Sequence, residues 1–599
     1  MWHRMRHALE EKAEREMPTT VIVKRLLSLL SPYKKHLLGV IILITISSIT
    51  SLYAPYVLGR AIDHYIVRGD LNGLIIMGTI YLTLNIAQWL SNSLRYYLTQ
   101  LVGQKFVNKL RRTIFDKLMN LSFSFYNRSR SGDLISIAVN DTSVIQEVLV
   151  SDIFSVLGDS MALIGIVVAM FMLNAKLAAI TLSFTPIIAL FARKFGSKFR
   201  RAYREAREKI AMVTRKVQES ISGIRVVKAF GREDIFSRNF QSASAEVLQA
   251  NIRAGKLMAV FWPMIRMLSV LVTVTVLWYG GYLSSLKEVT IGTLVAFLAY
   301  VNRLMNPIMM LVNVYGSLQS ALAASERVFK VLDEELEIKD SPDAIELDKV
   351  KGEIEYRNVY FEYIPGNPVL KNINLKIRPG EKIAIVGPTG AGKTTMVYLL
   401  CRFYDVKSGA ILVDGLDVRK IKQKSLRKNI GFVPQDTYLF PGSIMENIKV
   451  AKPNATNEEV IEVCKKLGIH EFIMRLPNGY ETDAGEAGKL LSTGEKQLIS
   501  FARAMLKNPP ILILDEAISS VDLETEQMII NAIRKLLENR TAIIIAHRLT
   551  LARSCDKIIV LVNGEIVEEG SHEELMKKKG IYYNLYTSQI GVHEIKATA

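Results

Sequence analysis

Long apolar runs dominate the chain before about residue 325, near Leu37–Leu58, Leu74–Leu98, Ile153–Leu173, Leu177–Ala192, Leu257–Leu283 and Leu294–Leu318, with few charges inside them. Runs of this length match the hydrocarbon thickness of a bilayer, where a helix is the form that satisfies every backbone group. The chain has 599 residues, too many for one ordinary core. Beyond Gly352 the apolar runs shorten to strand length and alternate with glycine-rich turns. A membrane half precedes a soluble half.

The formal net charge of +18 would suit a nucleic-acid binder, but its location argues otherwise. Arg193, Lys194, Lys198, Arg200, Arg201, Arg204, Arg207 and Lys209 follow one apolar run directly, and Lys105, Lys109, Arg111 and Arg112 follow another. Basic residues crowded at the ends of spans mark the cytosolic side of a membrane, with anionic membrane lipid as a partner and no nucleic acid. The connections 99–152 and 193–256 are long and basic while the others are short. The N-terminal segment Met1 to Met17 is rich in charge and is expected in the cytosol, so both long connections and the soluble half share that side of the cell membrane. Helical patterns run through these connections, and breaker-marked turns at Ser131-Gly132-Asp133 and Ser222-Gly223 are places where a hairpin reverses and docks on the soluble half. The segment Val21 to Leu30 carries Ile22, Leu26, Leu29 and Leu30 near helical spacing and suits a helix on the membrane surface. Cys401, Cys464 and Cys555 show no metal-ligand spacing and read as reduced core residues.

These patterns divide the chain into a transmembrane domain at 1–325, a charged linker with Pro342 at 326–350, and a second domain at 351–599. Strands are expected at Glu353–Phe361, Lys382–Val386, Ile511–Leu514 and Ala542–Ala546. The last three are nearly continuous apolar runs, as in strands buried on both faces of a largely parallel sheet. The second domain is α/β.

Between the strand Lys382–Val386 and a helical stretch stands Gly387-Pro388-Thr389-Gly390-Ala391-Gly392-Lys393-Thr394, followed by Thr395. Glycines at this spacing let backbone N–H groups wrap phosphates; Lys393 neutralises their charge and the Thr394 hydroxyl can ligate Mg²⁺. The buried-strand pattern Ile511–Leu514 ends in Asp515 and Glu516. Downstream of a phosphate loop, Asp515 would hold Mg²⁺, directly or through water, and Glu516 would polarise an attacking water.

With these motifs in order, the chain resembles the ATP-binding cassette exporters, in which six long transmembrane helices are fused to an α/β phosphate-binding-loop ATPase domain with a helical subdomain. Leu491-Ser492-Thr493-Gly494-Glu495-Lys496-Gln497 resembles the family signature, usually LSGGQ, and departs from it at Thr493 and Glu495. The resemblance implies that Ser492, Gly494 and Asp522 contact ATP bound to a partner chain, and that Tyr363 stacks on adenine. It also implies that Gln435 links Mg²⁺ or water to the membrane half and that His547 senses the terminal phosphate. Glu486 and the segment around Arg225 would couple the two halves. Arg303, a charge inside the sixth span, is expected either beside the translocation path or in a structural role, paired with an acid such as Asp159 or snorkelling to an interface.

The reading that follows is ATP- and Mg²⁺-dependent export of a drug, lipid or peptide-like substrate by a dimer. A heterodimer is favoured, because Glu495 would put a carboxylate near the partner's triphosphate, a penalty that one asymmetric site tolerates better than two. An ATP-gated channel or regulatory subunit is the alternative. A chromosome-maintenance ATPase would need long heptad repeats where this chain has apolar spans.

Overall fold

The computed structural model describes residues 17–515, 523–546 and 549–588. Contacts divide the chain into two compact units, one taking residues up to Met119 and Arg130–Glu334, the other Asn120–Ser129 and Glu335 onward.

In the first unit α1 (Thr19–Leu30) leads into the spans α2 (Lys34–Ala61) and α3 (Leu71–Asn120). After the six-residue helix α4 (Phe123–Arg128), α5 runs from Ser131 to Leu173 with π-type turns in its first half. α6 (Ala175–Ser222) and α8 (Glu233–Ser285) run side by side, joined by α7 (Ile224–Ala229), and α9 spans Ile291–Asp333. At 50 residues, α3 extends about 75 Å, far more than a bilayer needs. The helices therefore project beyond the membrane, as the polar helical connections require.

Three details differ from the sequence reading. The reversal between the second and third spans lies at 121–130, because Ser129 and Arg130 take extended backbone, and Ser131-Gly132-Asp133 instead open α5. Asp133 in that first turn complements the helix dipole. The helix α9 continues to Asp333, so the first residues of the expected linker at 326–350 are helical. The apolar stripe Ile22, Leu26 and Leu30 of α1 is buried against protein, with Arg25 paired to Asp333 and stacked over Phe329, while Val21, Val23 and Leu27 remain exposed.

The spans interlock around Met170, Leu177, Val276, Phe297 and Tyr300, all buried, and the Tyr300 hydroxyl donates to Leu52 O at 2.6 Å. At the end joining α2 to its short connection, Gly59 and Gly292 bring two backbones together; a Cβ on Gly292 would stand 1.9 Å from Gly59 O. Asp63 closes the same crossing by accepting from Gly292 N at 2.7 Å and from the Thr290 hydroxyl.

In the second unit β1 (Ile354–Ile364), β2 (Asn367–Ile377), β4 (Ser408–Val413) and β5 (Leu416–Asp417) form an antiparallel sheet in the order β2-β1-β4-β5. A six-stranded sheet takes β3 (Lys382–Val386), β6 (Ile430–Val433), β7 (Ile511–Asp515), β8 (Thr541–Ile545), β9 (Lys557–Val562) and β10 (Glu565–Gly570) in the order β10-β9-β3-β8-β7-β6, with only the β9–β10 pair antiparallel. Alternation explains the continuous apolar runs: Ile383 and Ile385 pack into one core, and Ala384 and Val386 into the other, across the same strand. β7 and β8 divide in the same way. The helices α10 (Lys393–Leu400), α11 (Asn457–Leu467), α12 (Thr493–Lys507) and α13 (Leu523–Leu536) complete the unit, with α11 and α12 packed together beside α13.

Candidate functional site

Parallel register sets the site. β3, β8 and β7 align Ile385 with Ile545 and Ile545 with Asp515, and β6 aligns Val433 with Leu514. Their carboxyl ends therefore lie at one sheet edge, where ligands of open α/β sheets bind. Gly387 leaves β3 there, Gln435 follows β6 by two residues and is exposed, and Asp515 ends β7, only 5% exposed. Glu516, Asp522 and His547 lie outside the described residues; in the sequence Glu516 comes directly after the last residue of β7 and His547 two residues after the last residue of β8.

The phosphate loop leaves β3 with Gly387 at φ 150°. A Cβ there would meet Leu561 O at 2.1 Å, and one on Gly392, at φ 102°, would press Leu370 at 2.7 Å. Only glycine fits either position. Pro388, Thr389 and Gly390 form the exposed rim, while Ala391, Gly392, Lys393 and Thr395 are buried and Thr394 is half-buried. The Lys393 ammonium donates to Gly387 O at 2.8 Å and to Pro388 O at 2.9 Å, bending the loop around it. The N–H groups of the first turn of α10 face the same loop, a backbone arrangement suited to phosphate.

Tyr363, on β1, meets Thr395 Oγ1 through its hydroxyl at 3.1 Å and stands edge-on to Phe361 and Tyr404. Burial pushes its phenol above the usual range. The ring lines a cavity of 590 Å³ shared with Phe361, Tyr404, Lys407 and Asn127, large enough for a nucleoside base.

Asn127 belongs to a segment that the sequence reading missed. α4 falls in the second unit: Phe123 stacks on Phe403 at 5.3 Å and meets Tyr398 and Tyr404 edge-on, while Asn127 Nδ2 donates to Tyr404 Oη at 2.7 Å. The signal available was the aromatic cluster Phe123, Phe125 and Tyr126 inside a polar connection.

The signature segment stands elsewhere in the unit, and among the described residues none of its hydrogen bonds reaches the phosphate loop. Ser492 caps α12: its Oγ accepts from Glu495 N at 3.3 Å, and the Glu495 carboxylate accepts from Ser492 N at 2.7 Å. Gly494 is buried behind this reciprocal cap. Glu486 is exposed and paired with Lys489 at 2.8 Å, in a turn where Gly485 and even Ala487 have positive φ. Arg225 lies on α7 among exposed Ile224, Val226 and Phe230. Arg303 is half-buried and donates to the Ser51 carbonyl and, at 2.7 Å, to the Ser51 hydroxyl, rather than pairing with Asp159.

Thr394, Gln435 and Asp515 offer hydroxyl, amide and carboxylate oxygens, the donors that suit Mg²⁺ held jointly with phosphates. The cysteines are free and buried, and burial pushes the thiols up to about 12, 11 and 12 for Cys401, Cys464 and Cys555.

The model of the ABC transporter transmembrane region matches residues 37–308, and that of the ABC transporter matches residues 370–519. The chain is 36% identical to an ATP-dependent lipid A-core flippase of Syntrophus aciditrophicus, over 95% of this chain and 94% of that protein. It is 38% identical to a fatty acid ABC transporter ATP-binding/permease protein of Mycobacterium tuberculosis, over 84% of this chain and 80% of that one. Its fold is similar to that of a bacterial Atm1-family ABC exporter with ATP bound, with a TM-score of 0.75 and 30% identity over 93% of this chain and 98% of the other.

Proposed function

This chain belongs to the ATP-binding cassette transporter family, and from that premise we propose how its residues divide the work of ATP-driven export. It is a multi-pass half-transporter of the cell membrane that works as a dimer and couples ATP hydrolysis, with Mg²⁺, to transport. The observation that carries the site assignment is the convergence of strand ends at the phosphate loop.

In this reading Lys393 and the N–H groups of Gly390 to Thr395 hold the phosphates, and Tyr363 holds the base. Thr394, Gln435 and Asp515 hold Mg²⁺, which neutralises phosphate charge. Glu516 orients and polarises the water, and His547 reports the terminal phosphate. Ser492, Gly494 and Asp522 reach ATP on the partner chain, and Glu486 and Arg225 transmit the closure to the spans. The working division is a transmembrane domain at 1–325, a linker at 326–350 whose first residues extend α9, and a nucleotide-binding domain at 351–599 to which α4 adds a segment. The cargo is a drug, lipid or peptide-like molecule, in keeping with relatives named for lipid A and fatty acids. Nucleotide-dependent movement of such a cargo across proteoliposomes tests the reading, and hydrolysis without any vectorial movement would point to a channel or regulatory subunit.

The reciprocal cap sharpens the case for a heterodimer. Glu495 draws on the positive end of α12, the feature that would otherwise meet the partner's phosphate. At about 6 Å and an effective dielectric near 20, carboxylate and phosphate charges oppose each other by roughly 3 kcal/mol before screening. Glutamine makes the same reciprocal cap without the charge. Glu495→Gln should therefore leave α12 intact and speed hydrolysis at the site it faces by about tenfold, the part of that penalty left after screening. Unchanged hydrolysis would show that the carboxylate is remote from the nucleotide. In a heterodimer this signature faces the slower site, while the partner supplies a standard signature to Lys393, Glu516 and His547. The chain purified alone should be monomeric or weakly active; a stable homodimer with two equivalent, fully active sites overturns the assignment.

A further inference from the structure

Three of the spans carry polar stripes that the export reading leaves unused. On α2, Ser47, Ser48 and Ser51 recur at helical spacing; on α3, Gln88, Asn92 and Arg95 do so; on α5, Ser155 and Asp159 do so. Lipid-facing helices have no use for such stripes. Here the stripes face one another around a cavity of 440 Å³ within the first unit, in the size range of ligand sites. All of them fall inside the spans expected at Leu37–Leu58, Leu74–Leu98 and Ile153–Leu173.

The charges in this cavity are incompletely matched. Arg95 and Asp159 both line it, yet they form no ion pair with each other, and Arg95 Nε is buried without a hydrogen-bond partner among the described residues. Arg303 shows the contrast: Ser51 satisfies it, so it anchors the wall instead of facing the cavity. Ser47 donates to Asn92 Oδ1 at 3.0 Å, which fixes the amide and leaves its nitrogen to donate elsewhere. One wall therefore offers a guanidinium and an amide donor, and the facing helix offers a carboxylate. A charge buried in a span is costly unless a partner meets it. A ligand with an anion at one end and an ammonium at the other would meet both.

We propose that this cavity binds the head of a zwitterionic molecule, with its phosphate or carboxylate on Arg95 and Asn92 and its ammonium on Asp159. Its identification as cargo rests on the export reading; the binding does not. The second span descends to the cytosol and the third begins there, so Arg95 and Asp159 sit in the cytosolic half of the bilayer, within reach of inner-leaflet lipids. The same chemistry is present in a soluble zwitterion.

The test is equilibrium binding to the purified full-length chain without nucleotide, by native mass spectrometry, with dioleoyl phosphatidylethanolamine, dioleoyl phosphatidylglycerol and soluble phosphoethanolamine as probes. The wild type should prefer phosphatidylethanolamine over phosphatidylglycerol by about tenfold, the value of one charge-assisted contact. Asp159→Asn should abolish that preference while still binding phosphatidylglycerol, an outcome that a misfolded variant cannot give. Arg95→Gln should weaken both lipids by about tenfold. Saturable binding of phosphoethanolamine alone, sensitive to both substitutions, would identify a soluble source. A wild type without preference, or an Asp159→Asn variant that keeps it, overturns the proposal. Absence of ATP-driven movement despite this selectivity would count against the export reading and leave the site standing.

Discussion

Glu516→Gln should yield a chain that binds ATP as the wild type does and turns it over about 10²- to 10⁴-fold more slowly, the usual value of one positioned general base. The expectation rests on the strand that precedes it. β7 is buried along its whole length and ends in Asp515, in register with Ile545 of β8, the strand that stands between β7 and the β3 that leads into the loop at Gly387. Glu516 is the next residue in the sequence, and glutamine keeps its size and polarity while losing the capacity to accept a proton. ATP affinity should stay within about threefold, because no phosphate contact is assigned to Glu516. Single-turnover hydrolysis beside equilibrium binding separates the two effects; hydrolysis near the wild-type rate would remove Glu516 from its role.

Lys393→Ala should fail at the earlier step. Lys393 is 6% exposed and its ammonium already holds Gly387 O and Pro388 O, so it is fixed where a triphosphate would lie along the loop. Loss of one partner from a buried charged contact costs about 2–5 kcal/mol, or roughly 30- to 5,000-fold in Kd. Binding of a fluorescent ATP analogue should weaken by that factor, with hydrolysis recovering only where the analogue is made to bind. A variant that keeps wild-type affinity would place the phosphates away from Lys393. Together the substitutions divide binding from chemistry along the same sheet edge.

The soluble half was the more legible part of the sequence. Lys382–Val386 is β3 residue for residue, and the strands expected near Ile511 and Ala542 are displaced by no more than one residue. Both faces of those strands are buried, so apolarity alone marks them. The spans were visible for the same reason, but their cytosolic extensions were not bounded, since a polar helix carries no sharp end signal. α4 escaped because six residues are too few for a period, and its aromatic side chains acquire meaning only against Phe403 and Tyr404. Glycine marks the reversal in the sequence, whereas in the structure the extended Ser129 and Arg130 make it. Spacing alone could have exposed the polar stripes of the spans; whether they face lipid or one another depends on packing that no single helix encodes. The pair Ser492 and Glu495 likewise reads as a helix start before it reads as an altered signature.

The crossing at Gly59 and Gly292 has a mechanical meaning for an exporter. It lies at the outer end of the first and sixth spans, on the side where cargo departs, and at its centre the Gly59 and Gly292 backbones meet beside one carboxylate. Parting two glycine surfaces leaves no side-chain-shaped void, and the freed groups of Asp63, Thr290 and Gly292 can be met by external water. Deeper in the bilayer, around Phe297 and Tyr300, separation would strip contact from large buried rings. The molecule thus has a low-cost latch at its exit and a costly joint at its middle, and the exit is where the spans can part first.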